Sequence, residues 1–268
     1  MDTEDVFGTA TPLVGMVHLS ALPGAPGYDG DRQSMHERAR ADARTLTDAG
    51  FDAVLVENYG DVPYYPEDVP DHTVAELTAV VRTVREAVSC PVGVNVLRND
   101  ATAALSVAGA AGGAFLRVNV HTGVRATDQG LLSGRAHETL RLRERIDADV
   151  AVFADVAVKH SGSVADRDLG ALAEETIDRG LADGLVVSGP ATGTPADESR
   201  LEAVCRARDA ASRDVPVLVG SGVTPENAAD LLELADGAIV GTAVKEGGET
   251  ANPVDAGRAE RLVEQVNR

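Results

Sequence analysis

The chain has 268 residues, 44% hydrophobic and only 3% aromatic, so it can bury a full core filled by Val, Ala and Leu, and intrinsic disorder is excluded. Its 24 basic residues against 43 acidic ones leave a formal net charge of −19, which repels bare phosphate backbones and disfavours nucleic-acid binding. No apolar run approaches the roughly 20 residues of a membrane span and the first residues are polar, so a soluble, cytoplasmic protein without an integral membrane segment is expected.

In chain order, short β-branched runs alternate with helical patterns, and strands are expected at 13–19, 53–57, 92–96, 114–120, 150–158, 184–188, 215–220 and 237–241. After the second run, 73–88 reads as an amphipathic helix: Val74, Leu77, Val81, Val84 and Val88 share one face, while Glu76, Arg82, Arg85 and Glu86 face away. Thr224-Pro225-Glu226 and Asn252-Pro253 each read as an N-cap followed by proline at the first helical position. Eight βα units without a long linker predict the α/β class and a single (β/α)8 TIM barrel over 1–268, with a parallel eight-stranded core. An open doubly wound sheet usually has fewer strands and a glycine fingerprint after the first.

In such barrels the chemistry sits in the loops that follow the C-terminal ends of the strands. Two of these loops, 23–32 and 59–72, are long and rich in Pro and Gly, and they hold Tyr28, Tyr59, Tyr64 and Tyr65, the only tyrosines of the chain. Gly220, Ser221 and Gly222 after the seventh strand, with Gly241 and Thr242 after the eighth, form the candidate phosphate site, because glycines let backbone N–H groups approach phosphate oxygens and the hydroxyls add donors.

Only Lys159 and Lys245 are lysine, the other 22 basic residues being arginine. An acidic surface nearly free of lysine suits solution in molar salt, where screening is short-ranged, and suggests a salt-accumulating microbe such as a halophilic archaeon. Both surviving lysines fall just beyond strand ends: Lys245 as a counter-charge to phosphate, Lys159 as a clamp, acid/base group or Schiff-base amine.

Polar side chains gather at the other strand ends. Asp155, Lys159, His18 and Glu57 are the candidate catalytic residues, and Asn58, Asn95, Arg117, Asn119, His121, His160 and Ser188 the candidate substrate-binding ones. Asp155 pairs with a cation at the mouth if it points inward, and Arg117, Asn119 and His121 share one parity. Asp155→Asn and Lys159→Met are expected to stop turnover and leave the fold intact. No cofactor is obligatory on this reading; His18, Glu57, His121 and Asp155 leave a divalent metal open, although no tight ligand spacing supports one. His36, His72 and His137 read as solvated or structural, and Cys90 and Cys205 as packing residues of a reducing compartment. The expected partner is a small phosphorylated ligand, and self-association of barrels through outer helices leaves a homo-oligomer open.

Several of these stretches carry a resemblance. Gly15-Met16-Val17-His18-Leu19 with Leu22-Pro23-Gly24, then Val94-Asn95-Val96-Leu97-Arg98-Asn99-Asp100, Phe115-Leu116-Arg117-Val118-Asn119-Val120-His121-Thr122-Gly123 and Ala154-Asp155-Val156-Ala157-Val158-Lys159-His160 resemble the BtpA (BtpA/SgcQ) family of TIM-barrel proteins. The resemblance spans nearly the full length and implies the barrel and the position of its site. The family name implies a role in photosystem I biogenesis, and a relative encoded among sugar-uptake genes implies sugar metabolism. The acidic surface departs from the first of these, lacking the basic patch or amphipathic apolar helix of a peripheral membrane protein.

Overall fold

The computed structural model describes residues 2–158, 160–189 and 198–266. Eight strands, β1 (Leu13–His18), β2 (Ala53–Glu57), β3 (Val92–Asn95), β4 (Phe115–Val118), β5 (Ala151–Asp155), β6 (Gly184–Val187), β7 (Val217–Val219) and β8 (Gly237–Val240), pair in parallel and close into a barrel. Each falls inside an expected run. The runs overshoot where the ladder stops and the chain turns into a mouth loop, as at β5, which ends at Asp155 rather than residue 158.

Every residue of these strands is buried, because one face meets the barrel interior and the other the surrounding helices. The two faces give two apolar clusters. The larger joins the outward strand residues to helices α2 (Arg32–Asp48), α3 (Asp71–Ala87), α4 (Ala101–Ala111), α6 (Leu169–Asp178), α7 (Glu198–Ala210) and α9 (Ala256–Val266). On α3 the buried stripe is Thr73, Leu77, Val80, Val81 and Val84, close to the expected face.

The smaller cluster fills the barrel: Val14, Met16, Leu55, Phe115, Phe153, Val186, Leu218 and Ile239, closed from below by Phe7 of the short N-terminal helix α1 (Thr3–Phe7). Phe7 meets Phe115 edge-on with ring centroids 5.1 Å apart and Phe153 at 5.5 Å. Two glycines make room for these rings. A Cβ on Gly93 would lie 2.3 Å from the Phe115 ring, and one on Gly184 2.3 Å from that of Phe153.

Two helix starts differ from expectation. Thr224 opens a turn in which its N–H donates to Asn227 Oδ1 at 2.8 Å, and α8 (Ala228–Leu232) begins only afterwards. Asn252-Pro253 likewise precedes the helix: Val254 N–H donates to Asp42 Oδ1 at 2.8 Å, and the cap of α9 is Asp255, whose Oδ1 accepts from Arg258 N at 2.9 Å. At Thr224 a local side-chain-to-backbone turn competes with the helix start; at Pro253 a long-range bond to Asp42, formed only in the folded chain, delays it.

The segment between β4 and α5 (Ala136–Arg145) also departs from a plain βα loop. It forms a hairpin of Val124–Thr127 against Gly130–Ser133, joined by the two-residue strand Gly162–Ser163. Among the described residues, no helix is long and apolar enough to cross a membrane.

Candidate functional site

Alternation along the strands builds the site one layer above the apolar interior. Interior residues lie two positions before His18, Glu57, Arg117, Asp155, Ser188, Gly220 and Gly241, and Gly93, which admits the Phe115 ring, two before Asn95, so each strand brings one of these eight, within a position of its C-terminal end, to the same inward face. Six are polar and two lack a side chain.

At the centre Arg117 grips Asp155 with two hydrogen bonds, Nε to Oδ2 at 3.0 Å and Nη2 to Oδ1 at 2.8 Å, both side chains being almost wholly buried. Asn119 Nδ2 donates to Asp155 Oδ2 at 2.9 Å, and Ser188 Oγ donates to Oδ1 at 3.2 Å. Burial opposes the Arg117 charge, but the Asp155 charge and its hydrogen bonds, with Glu57 beyond, outweigh this and hold the guanidinium pKa above its ordinary value. Asp155 therefore serves the arrangement as an anchored anion, and the inward orientation read from its parity is what the structure shows.

Across the mouth, His18 Nε2 lies 3.8 Å from Glu57 Oε1, while Glu57 Oε2 accepts from Asn95 Nδ2 at 2.7 Å. The imidazole also packs on Tyr59, ring centroids 5.0 Å apart. Gly241 leaves room for it, since a Cβ there would sit 3.1 Å from His18 Cε1.

Of the cavities that open on this layer, two share Arg117 in their walls. One, of about 140 Å³, lies against His18 and the segments 220–224 and 241–243. Among the described residues, the backbone N–H groups of Gly222, Thr242 and Ala243 are taken up by no other backbone carbonyl. The second, of about 190 Å³, is bounded by Glu57, Tyr59, Tyr64, Arg98, Asn119 and the hairpin tip Asp128-Gln129, with His160 at its edge. Arg98, Asp128 and Gln129 were not among the expected site residues. Arg98 stands only three positions past Asn95, a signal in the sequence, but the hairpin that carries Asp128 and Gln129 left no periodic trace.

Other expected members are placed elsewhere. Lys245, expected beside a phosphate, is fully buried on the outer side of the sheet, its Nζ donating to Asp42 Oδ2 at 3.1 Å. Burial pulls its pKa down and Asp42 opposes this, so the lysine serves an internal ion pair and not the mouth. Asn58 is a clamp between loops, accepting from Leu97 N at 2.7 Å and donating to Asp61 Oδ2 at 3.0 Å. Lys159 lies outside the described residues. Ser221 does stand at the first cavity, where its Oγ accepts from Gly189 N at 2.9 Å. Cys90 and Cys205 pack half-buried against the outer core, and burial pushes both thiols up.

His121 turns away from the mouth. Strand β4 stops at Val118, so alternation no longer fixes its direction, and its buried Nε2 meets the Gly180 carbonyl at 2.8 Å. The set His18, Glu57, His121 and Asp155 is thus not brought together, and among the described residues no group of three or more His, Cys, Asp or Glu is arranged to hold a metal ion. Burial pulls the His121 pKa below its ordinary value of 6.5. The unfolded chain then takes up a proton that the folded chain refuses, so the stability contributed by neutral His121 is complete above about pH 6.5 and lost as pH falls toward the folded pKa. Urea midpoints measured between pH 7.5 and 5 should fall, and fall less in His121→Gln; equal slopes would remove this assignment.

The model of the BtpA family matches residues 9–268. An uncharacterized protein of Thermococcus kodakarensis is 50% identical, covering 94% of each chain. The photosystem I biogenesis protein BtpA of Synechocystis is 40% identical over 99% of this chain and 91% of its own. Among solved structures, phosphoribosyl anthranilate isomerase from Thermus thermophilus has the same fold, with TM-score 0.59 and 11% identity over 96% of this chain and 98% of its own. With the family model covering nearly all of the sequence, and relatives of this identity along its length, the chain belongs to the BtpA family.

Proposed function

We propose that the barrel mouth is the active site of an enzyme that acts on a small phosphorylated metabolite, of sugar or nucleoside-derived type, by aldol cleavage, isomerisation or a related proton transfer. The observation that carries this reading is the junction of the two cavities at Arg117: a glycine- and hydroxyl-walled one on one side, an acid/base-walled one on the other. In the first, Gly220, Ser221, Gly222, Gly241 and Thr242 would cradle the phosphate through backbone N–H groups and hydroxyls. Between the two, His18 and Glu57 would move the proton, with Asn95 fixing the carboxylate and Arg117 and Asn119 orienting the substrate. Asp155, held by Arg117, keeps the guanidinium in place. Lys159 and His160 retain their place in this proposal on the sequence alone. The fold neighbour is itself named for a phosphoribosyl compound, in keeping with the substrate class.

A second reading follows from the relative named for photosystem I biogenesis: a noncatalytic assembly factor on the same scaffold. It gives no part to six polar side chains gathered on the inward face.

Thermal-shift and calorimetric titration with inorganic phosphate and phosphorylated sugars in molar KCl test the reading, since a ligand of the native state raises the melting temperature. Ser221→Asp keeps an acceptor for Gly189 N–H but sets a carboxylate in the cradle. Binding by the parent chain that the variant abolishes is the expected result. Binding unchanged in Ser221→Asp would overturn the phosphate site.

A further inference from the structure

A third cavity, of about 320 Å³, lies between the loops after β1 and β2, and Tyr64 lines both it and the cavity bounded by Glu57 and Arg98. Its character differs from that of the mouth. Its lining is mostly apolar, with Pro23, Pro26, Pro63 and Pro66 beside the two aromatic residues Tyr64 and Tyr65. The carboxylate inside, Asp61, is already engaged, Oδ1 accepting from Leu22 N at 2.8 Å and Oδ2 from Asn58 Nδ2 at 3.0 Å. The first of these bonds ties one loop to the other and the second braces Asp61 within its own loop, so the two walls of the cavity are held in place by the fold. Tyr64 is fixed in turn, its hydroxyl donating to the Tyr59 carbonyl at 2.7 Å. His72 supplies a polar edge, packed so closely on Gly24 that a Cβ there would lie 2.3 Å from its Nε2.

An apolar cavity of about 150 Å³ is enough to take benzene, and ligand sites are apolar clefts with a few placed polar groups. We propose that this cavity is a second substrate subsite, which takes an apolar ring carried by the phosphorylated molecule bound in the mouth, with Tyr64 as the specificity-determining wall between the two parts. The inference rests on the phosphate reading above and narrows its substrate class to phosphorylated compounds that bear a ring, aromatic or similarly flat.

The probe is 5-fluoroindole, titrated into the whole chain and followed by ¹⁹F NMR, with and without saturating inorganic phosphate. Saturable binding is expected, weakened at least tenfold by Ala25→Phe, which fills the cavity, and by Tyr64→Ala, which removes its wall. Either variant suffices if the other fails to fold, as judged by circular dichroism. Ser221→Asp should leave the fluoroindole affinity within twofold, and phosphate should not displace the probe. No saturable binding, or binding indifferent to both cavity variants, would overturn the subsite. Displacement by phosphate would also overturn it, because the ring would then occupy the mouth. Fluoroindole binding with no phosphate binding would instead sink the phosphate reading and leave the ring cavity established on its own measurement.

Discussion

Replacing Arg117 with methionine should destabilise the protein by roughly 3–5 kcal/mol in a urea titration, because a buried charge that loses its partner keeps the full cost of its desolvation. Among the described residues, Asp155 would be left at the barrel centre with only Asn119 and Ser188 as donors. The double variant Arg117→Met with Asp155→Leu removes both charges and should regain a large part of the loss, since apolar replacement of a buried ion pair is often neutral or better. Asp155→Asn carries the same kind of penalty, leaving the guanidinium uncompensated, so the expectation that this substitution spares the fold is revised. A single Arg117→Met variant within about 0.5 kcal/mol of the parent, a range ordinary for surface changes, would show that the pair does not hold the barrel mouth together.

The second large effect concerns turnover. On any phosphorylated compound the protein converts, His18→Ala and Glu57→Gln should each lower kcat by about 10²- to 10⁴-fold, the range general acid–base groups contribute. Inorganic phosphate affinity should change by less than about threefold in Glu57→Gln, whose carboxylate is held by Asn95 and does not line the phosphate cavity. A loss of affinity equal to the loss of rate would make these residues part of substrate binding. Full activity in both variants would remove them from the reaction.

The strands were legible because a parallel barrel buries both faces, which writes each strand as a short, mostly apolar run rich in valine. The hairpin over the mouth was not: Val124–Thr127 and Gly130–Ser133 are largely exposed, and only Leu132 is buried, in a small cluster with Val120 and Val158, too little to write a period of two. Of the site, what alternation fixes was readable. Arg117 and Asp155 each stand two residues past an interior phenylalanine, and the period of the strand carries them inward. More than a residue past the strand end that rule lapses, and His121, three positions beyond Val118, was misplaced for this reason. The rarity of lysine correctly marked Lys245 as a special residue but not its task, because a sequence does not show that Asp42, 203 positions away, lies within reach of its amine.

The plug formed by Phe7 under Phe115 and Phe153 gives the barrel a single door. Water displaced by a molecule entering the mouth must escape past that molecule, and the molecule itself must leave by the route it took in. A vessel open at one end cannot pass its contents through the floor to a neighbour docked below. Any hand-over to another protein must therefore happen at the rim, where the tyrosine-bearing loops and the hairpin tip would meet that partner first.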